Sequence, residues 1–109
     1  MQYREIAEMV AEFGYPYAYR FFPASEDKAP PFVVYYYDGA DDFFADDRNY
    51  QRIVPLVIEA YFDTKDFEAE ARIESVLDAH GITYSKEEIY IESERMYEIY
   101  YEAEVIINV

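Results

Sequence analysis

The densest chemistry in this chain is a run of carboxylates around two adjacent aromatic rings, spanning Asp38, Asp41, Asp42, Phe43, Phe44, Asp46, Asp47, Arg48, Tyr50 and Gln51. Carboxylates at this density first suggest calcium. An EF-hand loop needs oxygen ligands at positions one, three and five, glycine at six and a bidentate glutamate at twelve. Counting from Asp38 puts Ala40 at three, Phe43 at six and Asn49 at twelve, so that pattern fails. Three readings of the segment stay open: a looser cation site, a solvated acidic loop, and an arm that contacts another protein. The third is favoured by Phe43 and Phe44, because paired phenylalanines in a polar loop call for something to cover them. The candidate protein-interaction residues are therefore Asp41, Asp42, Phe43, Phe44, Asp46, Asp47, Arg48 and Tyr50.

Other reactive groups are sparse. His80 is the single histidine and cysteine is absent, so neither a zinc site nor a nucleophile triad can be assembled from the usual ligands. His80 reads as a helix cap or core-edge residue. Glutamates 87, 88, 92, 94, 98, 102 and 104 have the spacing of an exposed sheet face and turn, and no pair stands apart as a general acid and base. No dinucleotide, phosphate-loop, nucleophile-elbow or zinc-protease motif is present. The expectation is a protein without catalytic residues, metal or cofactor, and not an enzyme.

Twenty-four acidic residues against nine basic ones give a formal charge of -15, alongside fourteen tyrosines and eight phenylalanines. Phosphate binding depends on Lys and Arg, so direct DNA or RNA binding is not expected, and an anionic membrane would repel the chain. A hydrophobic fraction of 52% and three glycines argue against disorder. Tyrosine combines apolar area with a hydrogen-bonding tip, so a tyrosine excess fits strands and interfaces alike. The absence of disulfides fits a reducing compartment. No signal-peptide pattern and no apolar run of about 20 residues occurs, so a soluble, intracellular protein is expected.

These side chains must be positioned by a small number of elements. Tyr3, Ile6, Val10 and Phe13 predict an amphipathic helix over 2–13, stopped by Gly14. Strands are expected over Tyr17–Phe22 and Phe32–Tyr37, the latter apolar enough to be covered on both faces. A long strand is expected over Tyr50–Phe62, with Pro55 at an edge, a bulge or its beginning. Asp63 or Thr64 would then cap a second helix whose face is Phe67, Ile73, Val76, Leu77 and His80. Two more strands follow, Ile82–Ile91 and Arg95–Asn108, the last alternating, with Tyr97, Ile99, Tyr101, Ala103, Val105 and Ile107 on one side and Glu98, Glu102 and Glu104 on the other with Tyr100 and Ile106. The order α-β-β-β-α-β-β implies an α+β fold, with a mostly antiparallel sheet and two helices packed on one face, and residues 1–109 form a single domain.

In its pattern the whole chain resembles the tail-terminator, or tail-completion, proteins of long-tailed phages and Gram-positive prophages. The resemblance rests on the opening helix with its Gly14 stop, APPF at 29–32 before a tyrosine-rich strand, and DDFFADDRNYQ at 41–51. It continues through LVIEAYFDTKDFEAE at 56–70 and LDAHGITYSKEEIYIESERMYEIYYEAEVIIN at 77–108. It implies a structural α+β subunit that assembles with itself as a ring, expected to be hexameric, at the head-proximal end of the tail tube. There it would stop polymerisation of the major tail protein and join the head-tail connector, in the host cytoplasm during assembly and afterwards in the virion. Like charges across an interface cost several kcal/mol, so such subunits would meet through apolar or locally complementary patches, with the excess acid facing solvent or a lumen. The alternative is an acidic DNA-mimic inhibitor of a basic nucleic-acid-binding protein, whose acids would lie along one continuous face.

Overall fold

A computed structural model of the chain describes residues 1–23, 28–39, 41–45 and 48–108; for 41–45 and 48–50 the description is of the backbone. The elements are α1 (Tyr3–Ala11), β1 (Tyr17–Tyr19), β2 (Phe32–Tyr37), β3 (Asp41–Ala45), β4 (Arg48–Phe62), α2 (Phe67–Ala79), β5 (Tyr84–Ile91) and β6 (Met96–Asn108). This is the expected α+β order and mostly antiparallel sheet, with one short strand added. Spatially the strands run β1-β2-β4-β6-β5, and β3 pairs with β4 off that path. Among the described residues only β1 and β2 pair in parallel.

Strand alternation assigns the two faces. Val33 and Tyr35 of β2, the even-numbered positions Val54 to Phe62 of β4 and the odd-numbered positions Ile99 to Ile107 of β6 are in register. All of them belong to one buried core with Ile6, Met9, Val10 and Phe13 of the first helical segment and Ala69, Ile73 and Leu77 of α2. Both helices therefore cover the same face. Phe32, Val34, Tyr36, Val57, Glu59, Tyr61, Glu98, Tyr100 and Glu102 occupy the other face, which neither α1 nor α2 covers. The expectation that Phe32–Tyr37 is covered on both sides is thus corrected: Val34 is buried, but Phe32 and Tyr36 are half-buried.

Glu5 accepts the Gln2 backbone N–H at the start of α1, and Gly14 takes a φ of +87° that favours glycine at the helix stop. The second helix begins later than expected. Its cap is Asp66, whose Oδ1 accepts the Ala69 N–H at 3.0 Å, so Asp63 and Thr64 stand in the connection before it. Phe67 is not part of its packed face; it is 73% exposed, beneath the Lys65 ammonium. His80 is the C-cap, and its Nε2 lies 2.8 Å from Glu12 Oε2, joining the ends of both helices.

Pro55 sits inside the central strand β4, opposite Glu104 of β6. It is neither at an edge nor at the beginning. Instead it marks a handover, because the β2 ladder ends at Leu56 and the β3 ladder begins at Ile53. A residue with no N–H costs no ladder hydrogen bond in such a gap, and its carbonyl accepts from Asp38 N–H at 3.0 Å.

Candidate functional site

The segment expected as an acidic loop is largely a β-hairpin. Asp41, Asp42, Phe43 and Phe44 lie on β3, which pairs antiparallel with the first residues of β4, and the register shifts between Phe43 and Phe44. Arg48 and Tyr50 open β4. Asp46 and Asp47 lie outside the described residues, and so does Ala40. Pairing of β4 with β6 starts only at Gln51, so the far end of the hairpin extends past the rest of the sheet. The strand forms because β4 outruns β2 and leaves a free edge, and backbone pairing outweighs the poor strand propensity of aspartate. Among the described residues no group of three or more His, Asp or Glu side chains is placed to hold a metal ion.

At the opposite end of β4, the helix-free face carries a second constellation that sequence reasoning did not single out. Tyr36 and Tyr61 each donate a hydroxyl hydrogen bond of 2.8 Å to Glu59, one to each carboxylate oxygen. Burial, then that bond and the adjacent charge, pushes both phenols well above their usual range. Phe32 stacks on Tyr61 with centroids 4.8 Å apart, and Phe22 meets Phe32 edge-on at 5.6 Å. Arg20 holds its guanidinium 4.7 Å from the Tyr36 ring centroid. Its φ of +67° is a left-handed conformation that costs a non-glycine residue about 1–2 kcal/mol. Together Arg20, Phe21, Phe22, Lys28, Phe32 and Tyr61 surround a pocket of about 310 Å³, with Val34 and Glu59 also lining it. Phe21 stands 69% exposed beside it.

Further along this face the carboxylates Glu87, Glu98, Glu102 and Glu104 accompany Tyr100, Ile89 and Ile106. Burial first, and then the facing Glu59 charge, raise Glu98 above the usual carboxylate value, outweighing the lowering effect of the nearby Tyr61 hydroxyl. Glu88 differs from its neighbours: it lies on the helix-covered side and pairs with Lys65. Glu92 and Glu94 belong to the connection between β5 and β6.

A charged network fixes α2 to the edge strand β5. Glu70 is only 3% exposed, and its carboxylate meets Lys65 at 2.6 Å and Lys86 at 2.8 Å. Lys86 also meets Glu74 at 2.6 Å, and Glu74 accepts the hydroxyl of the buried Tyr101 at 2.8 Å. Burial pushes Glu70 up, but the two lysines outweigh it and hold the carboxyl below its ordinary value. The signal was present in the sequence, since Glu70 stands three and seven residues before Ile73 and Leu77, on the apolar stripe.

No protein-family model matches this chain, and no curated protein matches it.

Proposed function

We propose that the chain is a structural subunit that assembles with copies of itself into a ring on the end of a phage tail tube. In that place it stops tail polymerisation and offers the surface to which the head-tail connector joins. The observation that carries the reading is the sheet face that neither α1 nor α2 covers, which bears aromatic side chains among carboxylates and leaves Ile89 and Ile106 exposed. A sheet face of this kind is the part of a two-layer domain that a partner covers. The α+β order agrees with the subunit that the family resemblance implies, and the role needs no reacting group.

The DNA-mimic reading is less well supported. A phosphate mimic needs free carboxylates, whereas Glu59 on this face has both oxygens engaged by tyrosine hydroxyls.

The test adds the purified chain to tubes polymerising from the major tail protein of the phage or prophage that encodes it. Tube length is read by negative-stain microscopy, and binding by co-sedimentation. Shorter tubes with end-bound protein are expected. An unchanged length distribution with no co-sedimenting protein overturns the reading.

A further inference from the structure

We propose that the pocket bounded by Arg20, Phe21, Phe22, Lys28, Phe32 and Tyr61 receives the β3–β4 hairpin of a second copy of this chain, so that subunits join head to tail. The inference rests on the reading of the chain as a self-assembling subunit and names the contact that links one copy to the next.

Three observations converge on it. The first is charge. In a chain of -15, two of the nine cations stand at this rim, and among the described residues neither Arg20 nor Lys28 is within ion-pair distance of a carboxylate. Glu59 lies at the floor with its oxygens occupied by Tyr36 and Tyr61, and Arg20, which lies over the Tyr36 ring and bonds the Tyr37 carbonyl at 3.4 Å, meets no carboxylate among the described residues. The hairpin brings Asp41 and Asp42, with Phe43 and Phe44 next to them in sequence. Apolar walls with a cationic rim fit an aromatic strand flanked by aspartates, and oppositely charged patches set the register of such contacts.

The second is size. A cavity of about 310 Å³ lies at the small end of the range for ligand pockets, which suits one or two side chains and not a helix. The third is placement. Phe44 pairs with Asn49, while the pocket is lined by Glu59 and Tyr61 of the same strand. At ~3.3 Å per residue the hairpin and the pocket lie roughly 30–40 Å apart, consistent with a long axis of 51 Å. A subunit therefore cannot fill its own pocket. A contact between two different patches is heterologous, and heterologous contacts close into rings when the rotation per subunit allows.

The absence of cysteine makes the test direct. Phe21→Cys and Phe44→Cys are introduced together and the protein is oxidised at up to about 1 mM, where even a weak contact is populated. A disulfide needs Cα atoms within about 7 Å, so a bond within one chain is out of reach. The expected result is a reducible ladder of covalent oligomers. A control carrying Phe44→Cys and Glu94→Cys, the latter in the exposed turn between β5 and β6, gives no ladder. In a second measurement, singly substituted F21C and F44C chains are mixed and yield a covalent dimer only. Equal ladders from test and control, dimers from F44C alone, or no ladder at the highest concentration overturn the proposal. Tube capping without this cross-link would sink the contact and leave the ring function standing. The cross-link without capping would do the reverse.

Discussion

Replacing Glu70 by glutamine keeps the shape of the side chain and removes the one charge that both Lys65 and Lys86 share. Breaking a fully buried ion pair by deleting one partner costs about 3–5 kcal/mol. Here each lysine retains another carboxylate, Glu88 for Lys65 and Glu74 for Lys86, and the two lysine side chains are 22% and 35% exposed. The expected loss is accordingly smaller, about 2 kcal/mol at pH 7, equivalent to a melting temperature lower by roughly 8–16 °C for a domain of this size. The assay is urea unfolding followed by far-ultraviolet circular dichroism. The midpoint should fall while the slope stays constant, because the exposed surface is unchanged.

The pH dependence provides the sharper check. Glu70 has a folded-state pKa below its ordinary value, so its contribution is complete above the usual carboxylate range and is lost as pH falls through the folded value. Lys65 and Lys86 are raised despite burial, because Glu70, Glu88 and Glu74 hold them charged. Their contribution is complete below the ordinary lysine value and is lost as pH rises through the higher folded value. The gap between wild type and E70Q should therefore be flat from about pH 5 to about pH 10 and close toward pH 3. A gap under about 0.5 kcal/mol at pH 7, or one unchanged at pH 3, would refute the role assigned to the network.

Glu98→Gln should be neutral to stabilising at pH 7, by about 0.5 kcal/mol, since a raised folded pKa means that ionised Glu98 costs stability above that pKa; equal pH profiles for the two proteins in urea titrations would contradict this. Tyr101→Phe should cost about 1–2 kcal/mol in the same assay, because it removes a bond to the charged Glu74 from a buried site, and a neutral result would place that hydroxyl outside the network. Arg20→Gly should be more stable than Arg20→Ala by about 1 kcal/mol, since both lose the guanidinium contact and only glycine relieves the positive φ. Comparable melting temperatures for that pair would show that Arg20 is not strained.

The helices and the long strands were legible because burial imposes a period. Ile6, Val10 and Phe13 repeat at helical spacing, and the odd-numbered residues from 97 to 107 are all apolar, with glutamates at 98, 102 and 104 between them. Boundaries were less legible where several residues could serve one role. Asp63, Thr64 and Asp66 are all capable helix caps, and only packing decides that Asp66 is used. The strand β3 was hidden by its aspartates. Charged residues are disfavoured in sheet interiors but suit an edge strand, where they discourage pairing with stray chains. Part of the acidity at Asp41 and Asp42 thus has a structural use apart from any partner. The Glu59 cluster was illegible for another reason: Tyr36, Glu59 and Tyr61 come from two strands, and nothing local foretells that their registers meet.

Salt should separate the two functional readings by sign. Two bodies of charge -15 with centres about 30 Å apart, close to the middle dimension of the molecule, repel in water by about 10 kcal/mol at 0.01 M salt and about 1–2 kcal/mol at 0.1 M, on a screened point-charge estimate. A contact between Arg20 or Lys28 and a hairpin aspartate acts over a few ångströms in a partly desolvated site, so screening weakens it far less. Self-association of the chain should therefore strengthen as salt rises toward about 0.1 M, whereas an acidic mimic bound to a basic protein would lose affinity over the same interval. Sedimentation velocity across that range measures the first trend. Oligomers that dissociate on adding salt would show that the chain is held by long-range attraction between unlike charges, which a ring of identical acidic subunits cannot supply.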